Sequence, residues 1–302
     1  MKVGLVLIIA DRPELGRAFS YAETREVAQR AEENGFDSLW LYDHLLYRQK
    51  DKPTTGIWEC WTFLSALAQA TARVELGTLV ICNSLRNPAL LAKMAITLDE
   101  VSQGRLILGL GAGWNKPEYD AFGYPFDHRV DRFEEALQII RPLLKQGRVD
   151  FQGKYYQARD CEIKPVGPRP DGPPLMIGSF GPRMLKLTAQ YADLWNSAYY
   201  GQVKGLTRPR QALKRACREV GRDPATLGVT AVLGVHYPDL APVKPGFGRL
   251  PLSGTPDEIA QAMLAYQQAG VEHIMIHLVP YSLDALARFE EALRIYQQML
   301  NP

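Results

Sequence analysis

Only four cysteines occur in the 302 residues, at 60, 82, 161 and 217, and none forms a C-x-x-C pair. A disulfide framework has no spacing to rest on, and reduced thiols in a cytoplasm suit this usage better. No H-x-H motif or acidic cluster accompanies the five histidines, so no metal site is expected. Charge of one sign is also lacking. Lys plus Arg total 35 against 33 for Asp plus Glu, and a net charge of +2 supplies no field for phosphate backbones or anionic lipid. Nucleic acid is therefore not an expected partner. No stretch reaches the ~20 apolar residues that span a bilayer, so neither is a membrane. The opening run from Val3 to Ala10 is too short for a secretory leader and leads directly into Asp11, Arg12, Pro13 and Glu14. It reads as a buried first strand.

What is present is an average globular composition, 46% hydrophobic and 23% charged, arranged with a rhythm. Apolar runs of strand length alternate with segments of helical period, the signature of parallel βα units. Strands are predicted near 3–9, 37–42, 74–81, 105–110, 174–178, 193–197, 228–236 and 273–279. Helices are predicted near 23–34, 59–71, 88–102, 128–146, 182–191, 207–220, 256–269 and 283–299. Glycines or their neighbours stop several helices, at Asn34-Gly35, Gln103-Gly104, Gly221 and Ala269-Gly270. Thr255-Pro256-Asp257-Glu258 opens another with a cap and two carboxylates at the positive end of its dipole. The expected fold is α/β, a single (β/α)8 TIM barrel over 1–302. A small β-hairpin insertion at Val149–Tyr156 and a lid-like loop at 238–253 after strand seven decorate it.

In such barrels the loops at the carboxyl ends of the strands build the active site, so residues just after each strand are the candidates. After strand two stand Asp43 and His44. An imidazole exchanges protons near neutrality and suits proton transfer during oxidation or reduction, and Asp43 could fix its tautomer. Adjacent residues of an extended strand point to opposite faces, however, and Asp43 as a cap beside a solvated His44 is the ordinary alternative. After strand four comes Gly109-Leu110-Gly111-Ala112-Gly113-Trp114, bare backbone at the barrel mouth that does not match the Rossmann spacing. A tight turn explains those glycines as well. After strand five comes Gly178-Ser179-Phe180-Gly181-Pro182-Arg183, where Pro182 can open a helix. Its free backbone donors, with Ser179 and Arg183, could hold a phosphate. His273 and His277 are four apart, a spacing for ligation on a helix, yet they fall on a strand and read as core or rim. Trp58, Trp61 and Trp195 read as packing residues.

The block Leu85-Arg86-Asn87-Pro88 to Lys93, the run Gly104-Arg105-Leu106 to Trp114, Gly123-Tyr124-Pro125-Phe126 and Tyr191-Ala192-Asp193-Leu194-Trp195-Asn196 resemble the bacterial luciferase-like monooxygenase superfamily. The resemblance covers nearly the whole chain and is strongest to the branch that uses the deazaflavin coenzyme F420. It implies a flavin or deazaflavin ring over the barrel mouth against Gly111, Ala112, Gly113 and Trp114, with its phosphate at Gly178 to Arg183. A non-proline cis peptide near Cys82-Asn83 would buttress the ring. It makes His44 the leading proton donor or acceptor, and places Glu118 and Arg132 in supporting positions. Sugar-phosphate dehydrogenases of this superfamily carry a Glu where this chain has Trp114, which argues against their substrate.

Three functions follow as expectations. The first is a coenzyme F420-dependent oxidoreductase passing hydride between the deazaflavin and a small organic substrate. The second is an FMN-dependent monooxygenase using reduced flavin and oxygen. The third is a non-redox barrel that binds a phosphorylated ligand, although no Lys stands at a strand end for Schiff-base chemistry. Relatives commonly dimerise, so a homodimer is the expected assembly.

Overall fold

A computed structural model describes residues 1–12, 15–241 and 251–300. The apolar runs form strands at Lys2–Val6 (β1), Ser38–Leu41 (β2), Glu75–Thr78 (β3), Leu106–Gly111 (β4), Leu175–Gly178 (β5), Leu194–Tyr200 (β6), Gly228–His236 (β7) and His273–Val279 (β8). They bond in the order β5-β6-β7-β8-β1-β2-β3-β4, with Ile81–Cys82 as a ninth short strand on β4. Strand β4 also pairs with β5, so the order closes on itself in the (β/α)8 arrangement expected from the sequence. The registers Lys2↔His273, Gly4↔Ser38, Leu76↔Leu106, Ile177↔Leu110 and Asn196↔Thr230 are parallel. Strands covered on both faces carry unbroken apolar runs, and β4 is buried along its whole length.

The helices are Tyr21–Glu33 (α1), Cys60–Ala70 (α2), Pro88–Val101 (α3), Lys116–Phe122 (α4), Arg129–Gln146 (α5), Pro182–Tyr191 (α6), Thr207–Glu219 (α7), Pro256–Gln268 (α8) and Leu283–Leu300 (α9). Seven of them match the predicted helices closely at both ends, and α1 begins two residues early. Only α4 is absent from the sequence-based assignment. The expected stops adopt the left-handed conformation at Gly35, Gln103, Gly104, Gly221 and Gly270. Thr255 forms a full capping box with Glu258. Asn87 caps α3 through its carboxamide oxygen, which accepts from the Ala89 and Leu90 amides at 3.0 and 3.1 Å.

The chain gathers into two compact units. The first holds residues 1–8, 27–40 and 179–302, with an interior of Val3, Leu5, Val232, Ile274 and Ile276. In it Arg30 reaches Glu290 through two bonds of 2.8 Å. The second holds residues 9–26 and 41–178, with Leu106, Leu108, Leu110, Met176 and Ile177 inside. Arg105 ties the end of α2 to the start of β4 by donating to the Ala68, Thr71 and Val74 carbonyls. A hairpin forms between Arg148–Gln152 and Gln157–Glu162; its first strand falls where expected, but its second lies wholly beyond the predicted Val149–Tyr156, which holds only that first strand and the turn. The Glu135 carboxylate accepts three backbone amides at its turn. Of the lid-like stretch expected at 238–253, residues 242–250 lie outside the described residues.

Candidate active site

Past the end of β2, Asp43 and His44 go different ways. Asp43 is buried, and its carboxylate accepts from Arg86 Nη1 at 2.6 Å, Arg86 Nη2 at 3.0 Å and the Cys82 amide at 2.9 Å. Burial opposes the Arg86 charge, but Asp43 and Glu59 outweigh it and raise the guanidinium pKa. The expectation that Asp43 orients His44 is thereby corrected: its carboxylate is committed to Arg86 and to the Cys82 turn.

The partner of His44 is Glu118. His44 Nδ1 lies 3.1 and 3.2 Å from its two carboxylate oxygens, and one of these oxygens also accepts the Leu45 amide at 3.0 Å. Glu118 is fully buried, whereas the His44 side chain keeps 12% exposure. A carboxylate beside Nδ1 selects the tautomer with its proton there, which leaves the Nε2 lone pair for a substrate. If Nε2 gains a proton, the adjacent carboxylate balances the charge. Glu118 sits in the first turn of α4, and the preceding Asn115 side chain donates to the Leu46 carbonyl at 2.8 Å. Three aromatic rings meet His44: Tyr47 at 4.6 Å, Trp114 at 5.3 Å and Tyr42 at 6.3 Å between centroids.

The turn after β3 differs from expectation in place. The ladder breaks after Thr78 and resumes at Ile81–Cys82, although the apolar run at 74–81 reads as continuous strand. The non-proline cis peptide lies at Leu79-Val80 rather than near Cys82-Asn83. The glycines of β4 and β5 serve this turn. A Cβ on Gly109 would stand 1.9 Å from the Thr78 carbonyl oxygen, and one on Gly111 2.7 Å from Val80. One on Gly178 would come within 3.2 Å of Val80 as well. Gly113 has φ +77° and leaves room for Tyr119 and Cys82, whose Oη and Sγ are 3.0 Å apart. Burial pushes the Cys82 thiol up to about 12, so this thiol stays protonated at neutral pH. The Ala112 carbonyl accepts from Tyr119 at 3.3 Å. Next in the chain, Asn83 is buried with neither the nitrogen nor the oxygen of its side-chain carboxamide hydrogen-bonded.

Asp43, His44, Cys82, Asn83 and Gly111–Trp114 thus fall within one unit, together with Gly178 at the end of β5. Ser179, Phe180, Gly181, Pro182 and Arg183 belong to the other. There Gly181 takes φ +79° and Pro182 opens α6 with no side-chain cap on its first turn. Thr188 spends its hydroxyl proton on the Met184 carbonyl at 2.8 Å. The Ser179 hydroxyl therefore donates to Thr188, also at 2.8 Å, and is less available to an anion than its position suggests. Phe180, Gly181 and Pro182 line a cavity of about 450 Å³ with Trp195, Pro209 and Arg215. Arg132 grips the Asp127 carbonyl at 3.1 Å and lies over Tyr155, a surface role. Trp195 is buried in packing as expected, and Trp61 nearly so, whereas Trp58 is half-exposed. His273 is a core residue bonded to Ser38 Oγ at 2.7 Å.

Sequence reasoning missed the His44–Glu118 pairing and the Tyr47 ring. The available signal was Asn115-Lys116-Pro117-Glu118, a helix start with proline in the first turn and a carboxylate at its third position.

The family model for luciferase-like monooxygenases matches residues 1–239. A coenzyme F420-dependent glucose-6-phosphate dehydrogenase from Kineococcus radiotolerans is 30% identical, over 86% of this chain and 88% of that enzyme. Among solved structures, an F420-dependent secondary alcohol dehydrogenase complexed with an F420-acetone adduct superposes with TM-score 0.78 at 21% identity, covering 98% of each chain. A riboflavin lyase with modified FMN and riboflavin superposes with TM-score 0.81 at 16% identity, covering 99% of this chain and 91% of that one. The chain belongs to the luciferase-like monooxygenase family of oxidoreductases.

Proposed function

We propose that this chain is a coenzyme F420-dependent oxidoreductase acting on a small alcohol or carbonyl compound. The observation that carries the reading is His44 with Nδ1 held by the buried Glu118 carboxylate and its ring partly open to solvent. Asn83 supports the fit of a planar heterocycle. A buried carboxamide with four unused bonding positions is rare in a folded protein and calls for a ligand with matching donors and acceptors. Asn83 and the backbone of Gly111–Gly113 would hold the ring; in the other unit the first turn of α6, with Arg183, is by itself a candidate for holding a phosphate.

When bound, the deazaflavin supplies the hydride acceptor or donor. His44 Nε2 takes the hydroxyl proton of an alcohol or returns one to a carbonyl oxygen, and Glu118 keeps the imidazole in the required tautomer throughout. Asp43, pinned by Arg86, fixes the Cys82 amide and with it the start of the Asn83 turn. Titrating the purified protein with F420 and with FMN, followed by fluorescence, tests the reading. Tight binding of F420 is expected, and binding of FMN alone would replace this reading by a flavin monooxygenase.

A further inference from the structure

We infer that Tyr47 and Trp114 form an aromatic platform at His44 that selects a flat, uncharged substrate, an aryl or alkyl-aryl ketone and its alcohol, over a phosphorylated sugar. This rests on the proposed redox reading and narrows its substrate class. Tyr47 and Trp114 stack at 27° with centroids 6.2 Å apart, and His44 meets Trp114 edge-on at 75°. The segment from His44 to Tyr47 is held from both sides. Glu118 binds His44 and the Leu45 amide, Asn115 binds the Leu46 carbonyl, and Leu46–Tyr47 pairs with Thr55–Gly56. Segment 44–47 is therefore fastened to the start of α4 before any ligand arrives, which lowers the entropic cost of binding a planar group.

Trp114 is nevertheless 65% exposed. An indole left in water beside a proton-transferring imidazole has apolar surface to bury and a face for stacking. The charge bonded to His44 is negative, so a phosphate or carboxylate brought to the same ring meets repulsion. An alcohol hydroxyl donating to the Nε2 lone pair, or a carbonyl oxygen accepting from Nε2 once it is protonated, with a flat substituent over the indole, satisfies both groups. In the oxidative direction the carbinol C–H bond breaks with its electron pair leaving as hydride to the oxidised deazaflavin. The O–H bond breaks with its proton passing to His44, and the C=O bond forms.

Calorimetric titration with acetophenone and with glucose 6-phosphate, with and without F420, tests the platform. Acetophenone is expected to bind at least tenfold more tightly than glucose 6-phosphate. Trp114→Ala should weaken acetophenone about tenfold and Trp114→Phe no more than about threefold, while F420 affinity changes less than acetophenone affinity in both. Tighter binding of glucose 6-phosphate, or an F420 loss in Trp114→Ala equal to the acetophenone loss, would overturn the platform. Failure of F420 itself to bind would sink the redox reading, and the ketone preference of the cofactor-free protein would still decide the platform.

Discussion

His44 shows how a side chain acquires chemistry from its neighbours. Alone it is a half-buried imidazole; with Glu118 on Nδ1 and Leu45 on the same carboxylate, it presents one defined nitrogen. Replacing His44 with Ala should lower turnover by about 10²–10⁴ while F420 affinity stays within a fewfold, because the proton route is lost and the ring contacts are not. Glu118→Gln should reduce kcat more than it changes KM, since a carboxamide no longer enforces the tautomer or balances the imidazolium. Steady-state kinetics beside cofactor titration separate these outcomes, and a fully active His44→Ala protein would refute the assignment. His44 itself was legible in the sequence from its place after a strand. Its pairing with Glu118 was not, because Glu118 lies 74 positions away and only the fold brings the two together; the sequence placed Glu118 in a supporting position by family resemblance alone.

At the scale of elements, the βα rhythm was legible because period-2 and period-3.6 patterns and glycine stops are local properties. The short α4 escaped because seven residues between Trp114 and Gly123 are too few for a periodic pattern, and its proline reads equally as a turn. The break in β3 escaped for the opposite reason, an apolar run that continues through it. Gly109 is the clearest test of that turn. Its added Cβ would meet the Thr78 carbonyl, backbone that cannot swing aside. Gly109→Ala should therefore destabilise the protein by about 1–3 kcal/mol, read as a lowered denaturant midpoint. An unchanged midpoint would show that the β3 turn has room to move. On α6, Arg183→Ala should weaken cofactor binding by about 1–3 kcal/mol if the helix start carries the phosphate, and unchanged affinity would remove it from the site.

For the whole molecule, acid sensitivity follows from two buried imidazoles. Burial lowers His273 to about 3 and His277 to about 4, both from an ordinary value of 6.5. An unfolded chain takes up these protons before the folded one does. The stability they confer is thus complete above about pH 6.5 and is lost as pH falls toward 4 and then 3. Melting temperature should decline across that window, and a His273→Gln/His277→Gln protein should show a flatter decline; an identical slope would place the acid response elsewhere. The central claim concerns the redox cofactor and is met most directly by fluorescence titration of the protein and its Asn83→Ala variant with F420. The account predicts saturable binding to the parent chain, weakened about tenfold in the variant by loss of one charge-free hydrogen-bonding group. No binding to the parent chain, or equal binding to both, would contradict it.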